Sequence, residues 1–282
     1  MKTSMMGFPR RRLPWRGGLA WLLALVAGAA GAAGTPCSRD ISAPVAPTGA
    51  SVIIEGGNVS GIYPDLLRSI GPRNGCTILF PIVPRARQVA MFEAGKADML
   101  VPATRTAARD QIGIFVPMMG HRATLISLAS DRPPITSAKE LLERRELRVA
   151  VVRGFDHGEQ YTALVKELAK QGRLFTEVDV SAVARLLNMG AVDMTIMGPT
   201  ILAGAIAHEP RVNGMLDKLR LEPIPELPWG QSGAYISRLS LSPEDQQALR
   251  ELLEQAAKSG AVMDGFRRYH RPDILAASVR AH

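Results

Sequence analysis

Short apolar or β-branched runs punctuate the chain at 52–54, 77–83, 99–101, 147–152, 175–180 and 194–197, and each reads as a strand. Helix candidates lie between them and are marked by their ends. A helix at 63–70 stops before Pro72. One at 85–94 follows Pro84 and ends at Gly95, a C-cap signal. Ser137 and Glu140 form a capping box ahead of Leu141 and Leu142. Segments 158–170 and 183–189 end at Gly172 and Gly190. Ser242, Pro243, Glu244 and Asp245 supply an N-cap, a proline at the first helical position and acids in the first turn. Leu249, Leu252, Leu253, Ala256 and Met263 continue as an apolar stripe.

Strands alternating with helices predict βαβ units and parallel sheets. The alternation runs from about 50 to 115 and restarts at 137. Extended segments at 121–130 and 219–237 read as two passages between lobes. The expected organisation is therefore a leader at 1–34, a first part of lobe one at 35–122, lobe two at 123–222, and a return to lobe one at 223–282 ending in a helix.

The leader changes the picture of the charge. Its basic start, apolar run at 19–26 and small-residue tail at 27–34 have the layout of a secretory signal peptide, which implies a periplasmic protein. An uncleaved membrane anchor is the competing reading, with Ala and Gly in its second half giving little drive to stay in lipid. Of the formal charge of +8, Lys2, Arg10, Arg11, Arg12 and Arg16 contribute five. The rest is nearly balanced and carries no basic stripe interleaved with aromatics, so no nucleic-acid partner is expected. Hydrophobic residues at 46% of 282 residues exclude wholesale disorder.

Two cysteines exclude a disulfide-dense scaffold and a Cys-rich zinc module. After export, Cys37 and Cys76 suggest one bridge, with two free thiols as the alternative. Five histidines without ligand spacing, and no nucleophile-elbow, zincin or phosphate-loop motif, lead to no expected metal or cofactor.

Six local motifs then occur in a telling order: GIYPDLL at 61–67, EAGKAD at 93–98, TAAR at 106–109, FVP at 115–117, RVAVVRG at 148–154 and GAVD at 190–193. Their order resembles the type 2 periplasmic solute-binding proteins, in particular the polar amino-acid-binding branch, over about residues 40–272. The resemblance implies a two-lobed α/β fold of mixed sheets flanked by helices. It implies a monomer that closes on a small polar solute and hands it to an inner-membrane ABC permease. A solute sensor signalling to a membrane partner, or a dehydratase-like enzyme on the same fold, are the alternatives.

The resemblance also assigns roles. Arg109, in the TAAR motif, would grip a ligand carboxylate through its planar fork of donors; an ion pair with surface Asp110 is the competing role. Thr106 would cap the short helix carrying it, and Thr104 would add a hydroxyl. The position of the family's amine-binding aspartate holds Gly198, so an α-amino acid is not implied. Asp156 would either receive a cationic group or cap the helix starting near Gly158. Tyr63 and Phe155 are candidates for stacking on a planar ligand, Arg85 for reaching the cleft and Trp229 for lining it. His121 is a hinge candidate, and Asp65 and Asp98 read as cap or turn residues.

Overall fold

The computed structural model describes residues 36–281, with Thr3 and Gly7 ahead of them. The leader expected at 1–34 otherwise lies outside the described residues. Strand β1 (Ile41–Ser42) is followed by a hairpin of β2 (Ile53–Glu55) and β3 (Asn58–Ser60), then helix α1 (Ile62–Ile70). The hairpin turns at Gly56 and Gly57, both at positive φ, which suits a two-residue turn between twisted strands. Strand β4 (Ile78–Leu79) runs parallel to β1. It is far shorter than the 77–83 expected, because Pro81 and Pro84 remove ladder donors; only an isolated bridge, Val45 to Ile82, continues it.

Helix α2 (Arg85–Glu93), β5 (Met99–Thr104), α3 (Ala107–Ile112) and β6 (Gly113–His121) complete the first pass through lobe one. Lobe two contains β7 (Thr124–Leu128), α4 (Ala138–Glu143), β8 (Val149–Val152), α5 (Glu159–Lys170) and β9 (Leu174–Glu177). It continues with α6 (Val180–Asn188), β10 (Met194–Met197), α7 (Pro199–Ala207) and β11 (Leu219–Glu222). The chain then returns through β12 (Gly230–Ser237) to α8 (Pro243–Lys258), α9 (Ala261–Tyr269), α10 (Pro272–Ser278) and β13 (Val279–Arg280).

The two sheets differ. Lobe two orders its strands β11-β7-β10-β8-β9, with β10-β8-β9 parallel and β7 and β11 antiparallel. Lobe one orders β13-β6-β12-β5, and every pairing is antiparallel, against the parallel sheet expected. The reason is long range: β12, arriving from lobe two, inserts between β5 and β6 and pairs with both. The single C-terminal helix expected is three, broken at Gly260, which takes the left-handed conformation, and restarted at Pro272. Helix α6 starts earlier than expected because Asp179 caps it, accepting from the Ala182 N–H at 2.7 Å.

Lobe two is buried on both faces of its sheet. Val149 and Val151 face one apolar cluster with Leu141, Tyr161 and Leu168; Ala150 and Val152 face another with Val183, Leu187 and Leu202. This is why β8 reads as a continuous apolar run rather than an alternating one. In lobe one the main core gathers Ile41, Tyr63, Leu67, Met99, Leu249, Leu253 and Phe266. Cys76 joins that core and is bridged to Cys37. Two buried carboxylates tie the start of the described chain to it. Asp245 accepts from the Ser38 N–H and hydroxyl, both at 2.7 Å. Asp98 receives both Arg39 Nη atoms at 2.8 Å, the Ser42 N–H at 2.8 Å and the Ser240 hydroxyl at 2.7 Å.

Candidate functional site

The lobes meet face to face. Gly204 of α7 presses on the Gly49–Ala50 backbone of lobe one: a β-carbon added there would stand 2.3 Å from the Ala50 nitrogen. Gly154, after β8, also packs on the backbone of α2: a β-carbon there would stand 2.9 Å from the Ala86 Cα. Thr200, at the start of α7, shares a 2.9 Å hydroxyl–hydroxyl bond with Ser278 of α10. His208 Nδ1 lies 2.8 Å from Glu55. Glycine at these approaches lets two backbones come together without a side chain between them.

A small space remains between the lobes. The volume open to the centre of a water-sized sphere is about 40 Å³. Its wall includes Arg85 at the first turn of α2, Thr104 at the end of β5 and His121 at the end of β6. Lobe two contributes Phe155, Asp156 and His157 from the loop after β8. Strand ends facing each other across a gap are where ligands bind in open α/β sheets.

The electrostatics are unusual for a closed interior. Arg85 is 6% exposed and donates through Nη1 to Gln88 Oε1 at 2.9 Å and the Pro102 carbonyl at 3.2 Å, while its buried Nε meets no acceptor. Arg109 is 4% exposed and donates through Nη1 to the Thr104 carbonyl at 3.0 Å. Among the described residues neither arginine has an ion-pair partner; Asp110 instead pairs with Arg105 at 3.0 Å and accepts from Tyr235 Oη at 2.9 Å. Burial, then the neighbouring Arg109 charge, push the Arg85 guanidinium down to about 9, with Asp156 opposing them. It remains a cation at neutral pH.

Two histidines face each other beside the arginines. The His121 and His157 ring centroids are 5.2 Å apart, and the Tyr161 ring meets His157 edge-on at 4.9 Å. His121 Nδ1 and both ring nitrogens of His157 are buried without a hydrogen-bond partner. Burial pushes His121 down to about 4. Burial, then His121, Arg85 and Arg109, hold His157 well below the usual imidazole range. Both rings are neutral at physiological pH.

Of the residues expected at the site, Arg85, Thr104, Phe155 and Asp156 stand in the wall. Asp156 also accepts from the Gly158 N–H at 2.8 Å, closing the turn before α5. Arg109 lies beside the space rather than in its wall, with its charge felt by Arg85 and His157, which do line it. Thr106 is the N-cap of α3, accepting from the Arg109 N–H at 3.3 Å, and is absent from the wall. Tyr63 is buried in the lobe-one core; burial raises its phenol, with Ser232 acting in the other direction. Trp229 is not part of the wall; the guanidinium groups of Arg122 at 4.9 Å and Arg280 at 4.6 Å stand over its ring. Asp65 accepts from the Gly61 N–H at 3.1 Å, as a turn residue does. Thr48, Ser51, Thr200 and Ser232 also line the space and carry no local motif that would have marked them.

No family model matches the sequence, and no curated protein matches it. Solved structures do match in shape. An amino-acid ABC transporter substrate-binding protein from Streptococcus pneumoniae, bound to L-arginine, superposes with a TM-score of 0.64 at 18% identity, over 82% of this chain and 97% of that one. A histidine kinase sensor domain with similarity to periplasmic binding proteins gives 0.64 at 18% identity, over 83% and 96%. An ancestral amino acid-binding protein described as a precursor of cyclohexadienyl dehydratase gives 0.64 at 16% identity, over 82% and 96%. Among the described residues no helix is long and apolar enough to cross a membrane. The chain has the two-lobed fold of the type 2 periplasmic solute-binding proteins.

Proposed function

We propose that this is an exported, monomeric solute-binding protein that closes on a small carboxylate-bearing solute for ABC-type uptake. One observation carries the reading: two buried guanidinium groups, Arg85 and Arg109, flank the inter-lobe space without an ion-pair partner among the described residues. An unpaired buried charge costs several kcal/mol. A site that keeps two of them is built for an anion that arrives and leaves. Opening admits the solute, and closure lets Arg85, Arg109 and the Thr104 hydroxyl surround its carboxylate. The glycine contacts then fasten the lobes.

The test is a thermal-shift screen of carboxylates, amino acids, amines and sugars, followed by X-ray scattering on each hit. A carboxylate at 100 times its dissociation constant should add about 2.7 kcal/mol of stability and favour the compact form. Stabilisation by neutral sugars alone, or no compaction with any hit, defeats the reading. The likeness to a histidine kinase sensor domain favours sensing as a second reading. Kinase stimulation by the liganded protein, without stimulation of a permease ATPase, selects it. Incubating each hit and looking for a new product tests the dehydratase-like alternative.

A further inference from the structure

We infer that the solute is a short dicarboxylate, held with one carboxylate on Arg85 and Arg109 and the other on the His121–His157 pair, and that it binds with uptake of a proton by that pair. This rests on the binding reading above and specifies its ligand.

The polar groups left open in the wall are in surplus on the donor side. The Arg85 Nε is bare, and so are His121 Nδ1 and both nitrogens of His157. A neutral imidazole offers one N–H and one lone pair, and a protonated one offers two N–H groups. Against these stands one carboxylate in the wall, Asp156, already engaged by the Gly158 N–H. Two guanidinium charges and one carboxylate leave an uncompensated positive charge before any solute enters. An α-ammonium group would enter that field as a further cation, and Gly198 supplies no carboxylate to receive it. A dianion removes the excess and then favours a proton on the imidazole pair.

Size points the same way. One water needs roughly 10–15 Å³ of space open to its centre, so about three waters fit. Their share of liquid is about 90 Å³, the scale of malonate or succinate and well short of an amino acid with a long side chain. A second void, of about 10 Å³, shares Thr104, His121 and His157 with the first, so the two rings stand between the voids. The titratable and charged groups around the pair come from every side: Arg85 from α2 and Arg109 from α3, whose charges act on His157, Asp156 in the adjoining loop, and Tyr161 of α5, edge-on to His157.

Calorimetry on protein purified after expression of the full chain tests this with malonate, succinate, acetate, glycine and alanine. Malonate or succinate should bind at least tenfold more tightly than the other three. Titrations in two buffers of different ionisation enthalpy should show net proton uptake of up to one per solute. Because the complex then holds the extra proton, affinity should fall as pH rises, by no more than tenfold per unit, where succinate stays a dianion. His157→Gln, checked for folding by circular dichroism, should abolish the uptake and weaken succinate binding about tenfold or more; His121→Gln is the second variant. Tighter binding of glycine or alanine, or dicarboxylate binding without proton uptake by the wild type, overturns the inference and leaves the binding reading standing. Failure of every carboxylate to bind removes both.

Discussion

Arg109 and Asp98 are both charged and both buried, and they do opposite work. Asp98 has a full set of partners. Burial pulls its carboxyl upward, but Arg39, the Ser42 N–H and Ser240 outweigh that and hold it below the usual range. A depressed carboxyl contributes stability that is complete above the ordinary range near pH 4 and is lost as pH falls through the lowered value. Asp98→Ala should cost about 2–4 kcal/mol in urea unfolding at pH 7, because it strands buried donors, with a smaller difference from wild type in strong acid. Arg109 lacks such partners. Arg109→Met should leave the unfolding midpoint of the solute-free protein unchanged or raised, since it removes an unpaired buried charge. It should weaken carboxylate binding 30-fold or more by calorimetry, about 2–5 kcal/mol for a buried charged contact. A large loss of solute-free stability would make Arg109 a structural residue. That Arg85, Thr104, Phe155 and Asp156 would stand at the gap was legible from their places at a helix start, a strand end and the loop after a strand, which are set locally. The site's surplus of donors was not. It depends on His121 meeting His157 across the gap, and no local spacing encodes a contact between positions 36 residues apart.

At the scale of elements, α7 shows how composition and closure are linked. It is apolar around most of its circumference because it is buried between the lobe-two core and lobe one. Gly204 lies on the face toward Ala50. Replacing it with alanine favours the helix by about 0.8–1.0 kcal/mol, yet the new methyl collides with a backbone nitrogen across the interface. Gly204→Ala should therefore fold as well as wild type, give a larger radius of gyration by scattering, and bind solute weakly. Unaltered compaction would show that the lobes meet differently in solution. The elements themselves were largely readable: caps such as Ser242 and Asp179 and stops such as Gly95 act within one turn of chain. The antiparallel sheet of lobe one was hidden, since β12 reaches β5 from more than 100 residues away.

For the whole molecule, the described chain begins on the outside of lobe one and is fastened there three times, by Cys37, Ser38 and Arg39. The bridge closes a loop of 39 residues, worth about 4 kcal/mol by the chain-entropy estimate. The Cys37→Ser, Cys76→Ser double variant should lose stability on that scale in urea unfolding and keep its solute affinity, because the bridge lies in the lobe-one core rather than at the gap. A change in affinity comparable to the loss in stability would mean that the fastening also governs closure. The two crossings place Arg122 and Trp229 side by side, and Arg280 of β13 also stands over the indole. Trp15 and Trp21 fall in the segment read from the sequence as a leader, so its removal would leave Trp229 as the single tryptophan, placed at a crossing. Bending at the crossings, where Arg122 and Trp229 lie, would shift them against Arg280 and uncover more of the ring. Emission would then move to longer wavelength, giving an optical readout of each opening with no label attached.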